Sequence, residues 1–377
     1  MDRDAYLERL GATADDAADL FEHFDQRTVE GRPYHALPDA RHGVERGTVI
    51  VPDDDVVVRG YPSIPRILVL DPGIASFFED AGTETIAIEE KLNGFNVRIA
   101  DVGEPLAFTR SGYVCPYTTS RARDLLSLED FFADHPETTL CAELIGPETP
   151  YTTHDYAGID THDFRVFDIR DRESGEPRSV ADRRALCEAY DFNQPRLFGR
   201  AAPGDAVATV RSAIDDLDAA GREGVVLKSD DGTKLVKYTT ESNHHGELAY
   251  AFSLPFDHGR DFVFSRVIRE AFQAAELDED GDRLRERAHD LGESILRPAV
   301  DAIRDVDAGE TIGHRHTVRG SSAAIDALFD HLDDQAMTIE IESDRCEDGE
   351  RVVEFVKVAE SSRDRIAYYL EGGTRTE

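Results

Sequence analysis

The sequence predicts an antiparallel-rich α+β fold with a small N-terminal module and a helical C-terminal region. Three observations carry this reading. Strand-like runs arrive in hairpin-like pairs between about residues 64 and 238, helices interrupt them without steady strand–helix alternation, and the apolar pattern turns helical beyond about residue 245. A chain of 377 residues has room for two or three domains and a sizeable core. We divide it into an α/β module at 1–62, a mixed domain at 63–240, a helical region at 241–306 and an α+β module at 307–377.

In the first module, Tyr6, Leu7 and Leu10 mark a helix. Thr13 is placed as an N-cap, with Asp15 and Asp16 in the first turn before Leu20, Phe21 and Phe24. Residues 48–51 and 56–58 read as strands about an Asp-rich turn that ends at Gly60-Tyr61-Pro62. In the mixed domain, strands are expected at 85–90, 96–102, 106–109, 139–145, 164–169, 224–227 and 235–238, with helices near 121–134, 180–190 and 204–220. Further on, Val263, Val267 and Ile268, then Leu284, Ala288, Leu291, Ile295 and Leu296, recur at helical spacing; this stripe is either a private core or a dimer face. The last module reads strand, helix, strand, strand, helix, clearest at 337–341 and 352–358.

The chain carries 42 Lys+Arg against 78 Asp+Glu, a net charge of -36, and only five of its cations are lysines: Lys91, Lys228, Lys234, Lys237 and Lys357. An acidic surface with Arg far above Lys suits a cytoplasm of molar salt, where the Debye length falls to about 3 Å and like charges repel little. We expect a halophilic, cytoplasmic protein. The opening Met-Asp-Arg-Asp lacks a leader pattern, and no apolar run reaches membrane-span length, so no membrane partner is expected. Cys115, Cys141, Cys187 and Cys346 form no Cys-x-x-Cys pair and read as small core residues. The total charge argues against a nucleic-acid partner. Locally, however, Lys91, Arg98, Arg110, Arg121 and Arg123 face only Asp101 and Glu104, a basic island suited to an RNA track.

The surviving lysines point to chemistry. A lysine amine can lose its proton and become a nucleophile, whereas arginine cannot, so lysine should persist where an amine is required. Lys91 closes an alternating strand and precedes Leu92-Asn93-Gly94-Phe95-Asn96, a glycine turn through which phosphate could approach the backbone. At intervals follow Arg110-Ser-Gly, Glu143 within an apolar strand, Phe164-Arg-Val-Phe167, Arg222-Glu223-Gly224-Val-Val-Leu-Lys228 and Lys234-Leu-Val-Lys237. Each has a bland alternative: Phe164 and Phe167 as core, Arg110 as a surface cation, Glu223 as a helix end. Glu143 is harder to dismiss, since a buried carboxylate needs partners. His244-His245 and His314-x-His316 have no third ligand at supporting spacing and are expected to be exposed polar residues.

This ordered set resembles the covalent nucleotidyltransferase superfamily of polynucleotide ligases and capping guanylyltransferases. Asn96, where DNA ligases and capping enzymes usually carry Arg, looks like the RNA-ligase variant. The run Glu89-Glu-Lys91-Leu-Asn-Gly94-Phe-Asn96-Val-Arg98 and the flanking regions look like the archaeal homodimeric ATP-dependent RNA ligase family. The resemblance implies a nucleotidyltransferase (ATP-grasp-like ligase) domain, a homodimer, and end-joining or circularisation of single-stranded RNA with ATP and Mg2+, or Mn2+. It makes Lys91 the nucleophile that forms lysyl-AMP, its amine freed of a proton with help from Lys234, Lys237 and the metal. Glu143 would hold the ribose, Phe167 would stack on adenine with Phe164 the weaker candidate, and Glu223 would bind metal. Glu89 could contact the adenine edge; Asn96, Arg110 and Lys237 would complete the nucleotide site, with Arg98, Lys228 and Lys234 provisional. On a strand Lys234 and Lys237 would point to opposite faces, which favours Lys237 as the phosphate contact. The alternatives are a DNA ligase or capping guanylyltransferase, disfavoured because those append a five-stranded OB-fold after the last motif, and a nucleotide-sensing RNA-binding protein without catalysis.

Overall fold

The computed structural model describes residues 3–79, 82–152 and 154–374, so Met1 and Asp2 of the leader reading lie outside it. Two four-stranded antiparallel sheets form its centre. The first has the order Leu197–Ala201, Ile86–Lys91, Gly224–Ser229, Leu235–Thr239; the second has the order Pro105–Thr109, Phe95–Asp101, Thr138–Ile145, Asp163–Asp171.

Alternation sorts each sheet into an apolar and a polar face. In the first sheet Ile86, Ile88, Val225, Leu227 and Val236 pack on Ile74 and Phe78 of helix Leu70–Glu79 and on Val210, Ile214 and Leu217 of helix Ala206–Ala219. In the second, Val97, Ile99, Leu140, Ala142, Leu144, Phe164 and Val166 close on Phe131, Phe132, Cys187 and Phe192. Each large side chain buried this way contributes roughly 2 kcal/mol. The polar faces, carrying Glu89 and Lys91 on one sheet and Asn96 and Glu143 on the other, are left to line a shared cleft.

The N-terminal module has two strands more than the sequence suggested, Asp25–Val29 and Arg32–Ala36, paired onto Val49–Val51 and Val56–Val58. Its inner face shares a core with the second sheet through Val49, Val51 and Val58 against Ala100, Val102 and Phe108. The helix expected near 121–134 is two helices, Pro116–Leu125 and Leu128–Asp134. Pro116 starts the first early, and Cys115 caps it by accepting from the Thr118 N–H. Helix Leu70–Glu79 and the short edge strand Leu197–Ala201, irregular at Gly199, went unread because neither has a clean period.

After Leu235–Thr239 of the first sheet, helices Glu241–Ser253, Arg260–Glu276 and Gly281–Asp307 lead to a three-stranded sheet with Glu350–Val358 between Gly313–Gly320 and Ile339–Glu347. Helices Ser322–Asp334 and Glu360–Leu370 complete the order strand, helix, strand, strand, helix. Among the described residues no helix is long and apolar enough to cross a membrane. Two expectations need correction. Cys346 is exposed, because it lies on an edge strand that packs little, while the other three cysteines are buried. His244 and His316 are buried, not exposed.

Candidate active site

The turn at residues 92–94 joins the last residue of one sheet's strand, Lys91, to the first strand of the other, so the Lys91 amine sits where the two sheets meet. Register sets the cleft's first wall: Lys91 lies opposite Gly224, Glu89 opposite Val226, and Val226 opposite Lys237. On the facing wall, Asn96 is the register partner of Glu143. The two walls enclose a cavity of about 130 Å³ that opens to solvent. Lys91, Glu89, Asn96, Arg110, Glu143, Phe167, Lys228 and Lys237 all line it.

At its centre, Lys91 Nζ donates to Glu223 Oε2 at 2.7 Å, joining residues 132 apart in sequence. Glu143 accepts from the Gly94 N–H at 3.1 Å and from Asn96 Nδ2 at 3.4 Å. Burial pushes the Glu143 carboxyl up to about 7; Lys91 draws it down, and the Glu223 charge raises it. Two carboxylates thus share this end of the cleft with incomplete compensation, a donor set that fits a divalent cation such as magnesium.

Glu89 is spoken for. It is 1% exposed and binds Arg183, Arg184 at 3.1 Å and Lys228 at 3.0 Å. Burial raises its pKa, but Lys228 and Arg183 outweigh burial and hold the carboxyl at about 2. Lys228 also donates to the Phe167 carbonyl at 2.6 Å and lies 5.8 Å from that ring's centroid. Phe167 is itself the extra residue of a β-bulge, since Cys141 pairs with Asp168 and Ala142 with Val166. A bulge re-aims its side chain, here into the cleft, where Tyr61 meets the ring edge-on at 5.3 Å.

Other expectations resolve differently. Phe164 is fully buried in the second sheet's core and cannot stack on a base. Lys234 precedes its strand, in the turn, and does not line the cleft. Arg98 is 1% exposed and donates to the carbonyls of Arg59, Gly47 and Thr109 at 2.8, 2.7 and 3.1 Å, so it ties the N-terminal module to the second sheet and touches no nucleotide. Arg121 pairs with Glu350 at 2.8 Å and Arg123 with Glu104 at 2.7 Å. Only Lys91 and Arg110 of the basic island therefore face the cleft, and the island is not a continuous RNA track. Packing alone already requires Gly94: a Cβ there would lie 2.5 Å from the Leu144 carbonyl oxygen.

Helices beyond the cleft hold the other buried charge cluster. Glu241, His245 and Glu270 could together hold a metal ion, but the Arg287 guanidinium already lies 2.6 Å from Glu270 and 2.8 Å from Glu241, and His244 bonds Glu270 as well. The cation of this cluster is an arginine.

Residues 84–239 match the family model for RNA ligase, and residues 250–373 match that for the C-terminal region of ligase Pab1020. An uncharacterized protein of Methanocaldococcus jannaschii is 38% identical over 342 residues, covering 88% of this chain and 85% of its own. Two solved forms of an archaeal ATP-dependent RNA ligase are 38% identical, cover 100% of both chains and superpose with a TM-score of 0.90. The chain belongs to the archaeal ATP-dependent RNA ligase family. It is therefore an RNA ligase, an enzyme that forms phosphodiester bonds at the expense of ATP. A putative ATP-dependent DNA ligase from Aquifex aeolicus, 24% identical over 94% of this chain and 97% of its own with a TM-score of 0.85, shares the fold.

The ligase's cleft also uses residues that sequence reasoning passed over. Tyr156 accepts the Asn93 N–H at 2.7 Å and donates to the Asn93 carbonyl at 3.0 Å, pinning the turn after Lys91 with one hydroxyl. Arg222 lies 3.4 Å from the Tyr156 ring centroid and pairs with Glu90 at 2.6 Å. Arg183 and Arg184, on helix Val180–Ala189, orient Glu89. Nothing local signals these roles. Tyr61 had a faint signal in Gly60-Tyr61-Pro62, read only as the end of a module.

Proposed function

We propose that the ligase adenylylates Lys91, passes AMP to the 5′-phosphate of single-stranded RNA, and seals that end to a 3′-hydroxyl, joining or circularising the strand. The observation that carries this reading is the amine of Lys91 held 2.7 Å from a carboxylate, at the junction of two sheets whose other polar side chains are Glu143, Asn96, Lys228 and Lys237. Glu223, 2.7 Å from the amine, would take the proton that the amine must lose before it attacks phosphorus. Phe167 would stack on adenine, with Lys228 and Glu89 fixing its strand, and Glu143 would receive the ribose hydroxyls. Lys237 and Arg110 would bind phosphates. Glu223 and Glu143 would hold magnesium, or manganese, which when bound neutralises phosphate charge.

The protein is read as a homodimer of a high-salt cytoplasm. Phe264, Phe272, Leu284, Leu296 and Ile303 stand exposed on helices Arg260–Glu276 and Gly281–Asp307 of this acid-rich chain, a stripe suited to a second copy. Sedimentation at monomer mass in concentrated potassium chloride would remove that part of the reading.

The deciding experiment incubates the protein with ATP labelled at the α-phosphate, and separately with labelled GTP, in high potassium chloride with magnesium. A label that survives denaturation and vanishes in Lys91→Ala is expected with ATP. No adduct, or an undiminished one in the variant, sinks the mechanism. Offering the adduct 5′-phosphorylated single-stranded RNA or nicked duplex DNA then reads the substrate, with RNA expected to be sealed.

A further inference from the structure

In a chain with 78 acidic side chains against 42 basic ones, a buried cation without a carboxylate partner requires a reason. Arg66 and Lys237, each half-buried and, among the described residues, without an ion-pair partner, lie side by side, Lys237 lining the cleft and Arg66 the recess next to it. Arg66 forms a parallel bridge with Lys237: the Ile67 N–H donates to the Lys237 carbonyl at 3.1 Å and the Lys237 N–H to the Pro65 carbonyl at 3.0 Å. Bridge partners present their side chains to one face, so Arg66 extends the cleft-facing row Glu89, Val226, Lys237. Its guanidinium donates to the Thr239 hydroxyl. Thr239 is opposite Gly224, and Gly224 is opposite Lys91, so the guanidinium is turned toward the end of the sheet that carries the nucleophile.

A third cation arrives from outside the nucleotidyltransferase sheets. Arg269, on helix Arg260–Glu276, lines a recess together with Arg66 and Thr239. It shares the single carboxylate of Glu247, at 3.2 Å, with Arg266, which holds the same group at 2.8 Å. Among the described residues neither Arg66 nor Lys237 has an ion-pair partner. Burial and then the charge of Arg269 bring Arg66 down to about 10 against the pull of Glu247 and Glu223, and burial followed by Lys91 and Arg66 brings Lys237 down to about 8 against the pull of Glu223. An anion placed among them would relieve both.

In-line displacement says which anion, and when. Lys91 Nζ forms a bond to the α-phosphorus as the bond from that phosphorus to the bridging oxygen breaks; pyrophosphate leaves with the electron pair on the side opposite the amine, whose proton goes to Glu223. In the next step the amine is the leaving group and recovers a proton, so the 5′-phosphate oxygen of RNA must attack from the side opposite the amine. That is the side pyrophosphate has vacated. We propose that Arg66, Lys237 and Arg269 form one phosphate subsite opposite Lys91, which holds the departing pyrophosphate of ATP and afterwards the 5′-phosphate of the RNA. The proposal rests on the ligase reading above. It adds Arg66 and Arg269 to the site and gives the helical region a part in chemistry.

The test charges wild type, Arg66→Met, Arg269→Met and Arg269→Lys with labelled AMP, removes free nucleotide, and chases with pyrophosphate in one arm and 5′-phosphorylated RNA in the other. The concentration of each needed for half-maximal loss of label should rise about tenfold or more in both methionine variants, with partial recovery in Arg269→Lys. Thermal melting reports whether each variant is folded. For a folded variant that charges too slowly, calorimetric binding of pyrophosphate to the uncharged enzyme reads the same subsite. Unchanged half-maximal concentrations overturn the proposal. So does a rise for pyrophosphate alone, which would mean two separate phosphate sites. Failure of the ligase reading is distinct, because the wild type would then take up no label before any chase.

Discussion

Glu143 and Lys237 in the cleft and the carboxylates around Arg287 are all drawn away from water, and their charges are compensated differently. Arg287 reaches Glu270 at 2.6 Å, Glu279 at 2.7 Å and Glu241 at 2.8 Å with its side chain 3% exposed. Burial pushes Glu270 up, but His244, His245 and Arg287 outweigh it and hold the carboxyl at about 2. Every charge there has its partner, and the network ties helix Gly281–Asp307 to helices Glu241–Ser253 and Arg260–Glu276. In the cleft Glu143 sits at about 7 and Lys237 at about 8, each away from its ordinary value because burial is not repaid by a partner. Matched charges serve architecture here, and unmatched ones mark where a ligand belongs.

The sharpest way to break this comparison is Arg287→Met. It removes the partner that three carboxylates share, leaving them Arg283, His244 and His245, and should cost about 3 kcal/mol, read as a lowered melting temperature, while adenylylation by the folded fraction at low temperature persists. A loss below about 1 kcal/mol would mean that the network is not structural. Glu143→Gln should act in the other direction. The folded protein keeps the Glu143 proton up to about 7, against an ordinary 4.5, so this group's contribution to stability is lost as pH rises through that window. At pH 8 the glutamine variant should therefore be more stable than wild type by about 2 kcal/mol, with a flatter stability profile between those pH values and a slower adenylylation. Lys237 yields the smallest effect. Its charge is present below about 8 and lost above it, so the KM for ATP should climb by up to about tenfold per pH unit beyond that point, and Lys237→Arg should abolish the climb. A KM insensitive to alkaline pH in the wild type would place Lys237 away from phosphate.

Much of the site was legible because its residues obey local rules. Strand alternation separates Glu89 and Lys91 from Ile86 and Ile88, and it separates Phe164 from Phe167. Lys237 lines the cleft as expected, but not by strand alternation against Lys234, which lies before the strand Leu235–Thr239. Arg98 and Arg121 misled because net charge along a sequence does not say which cations are buried against carbonyls or carboxylates. The histidines misled for the same reason: His244 is held by Glu270, 26 residues away, on another helix.

By itself the sequence determined the ordered motifs, the candidate nucleophile Lys91 and the α+β class, since these follow from residue type and short-range period. Tertiary structure decided which charges are spent and which remain. Lys91 meets Glu223 across 132 residues, Glu89 meets Arg183 across 94, and Arg66 reaches Thr239 across 173. Such pairings depend on sheet register and helix packing, which set whether a buried charge is compensated, and no local pattern encodes that balance.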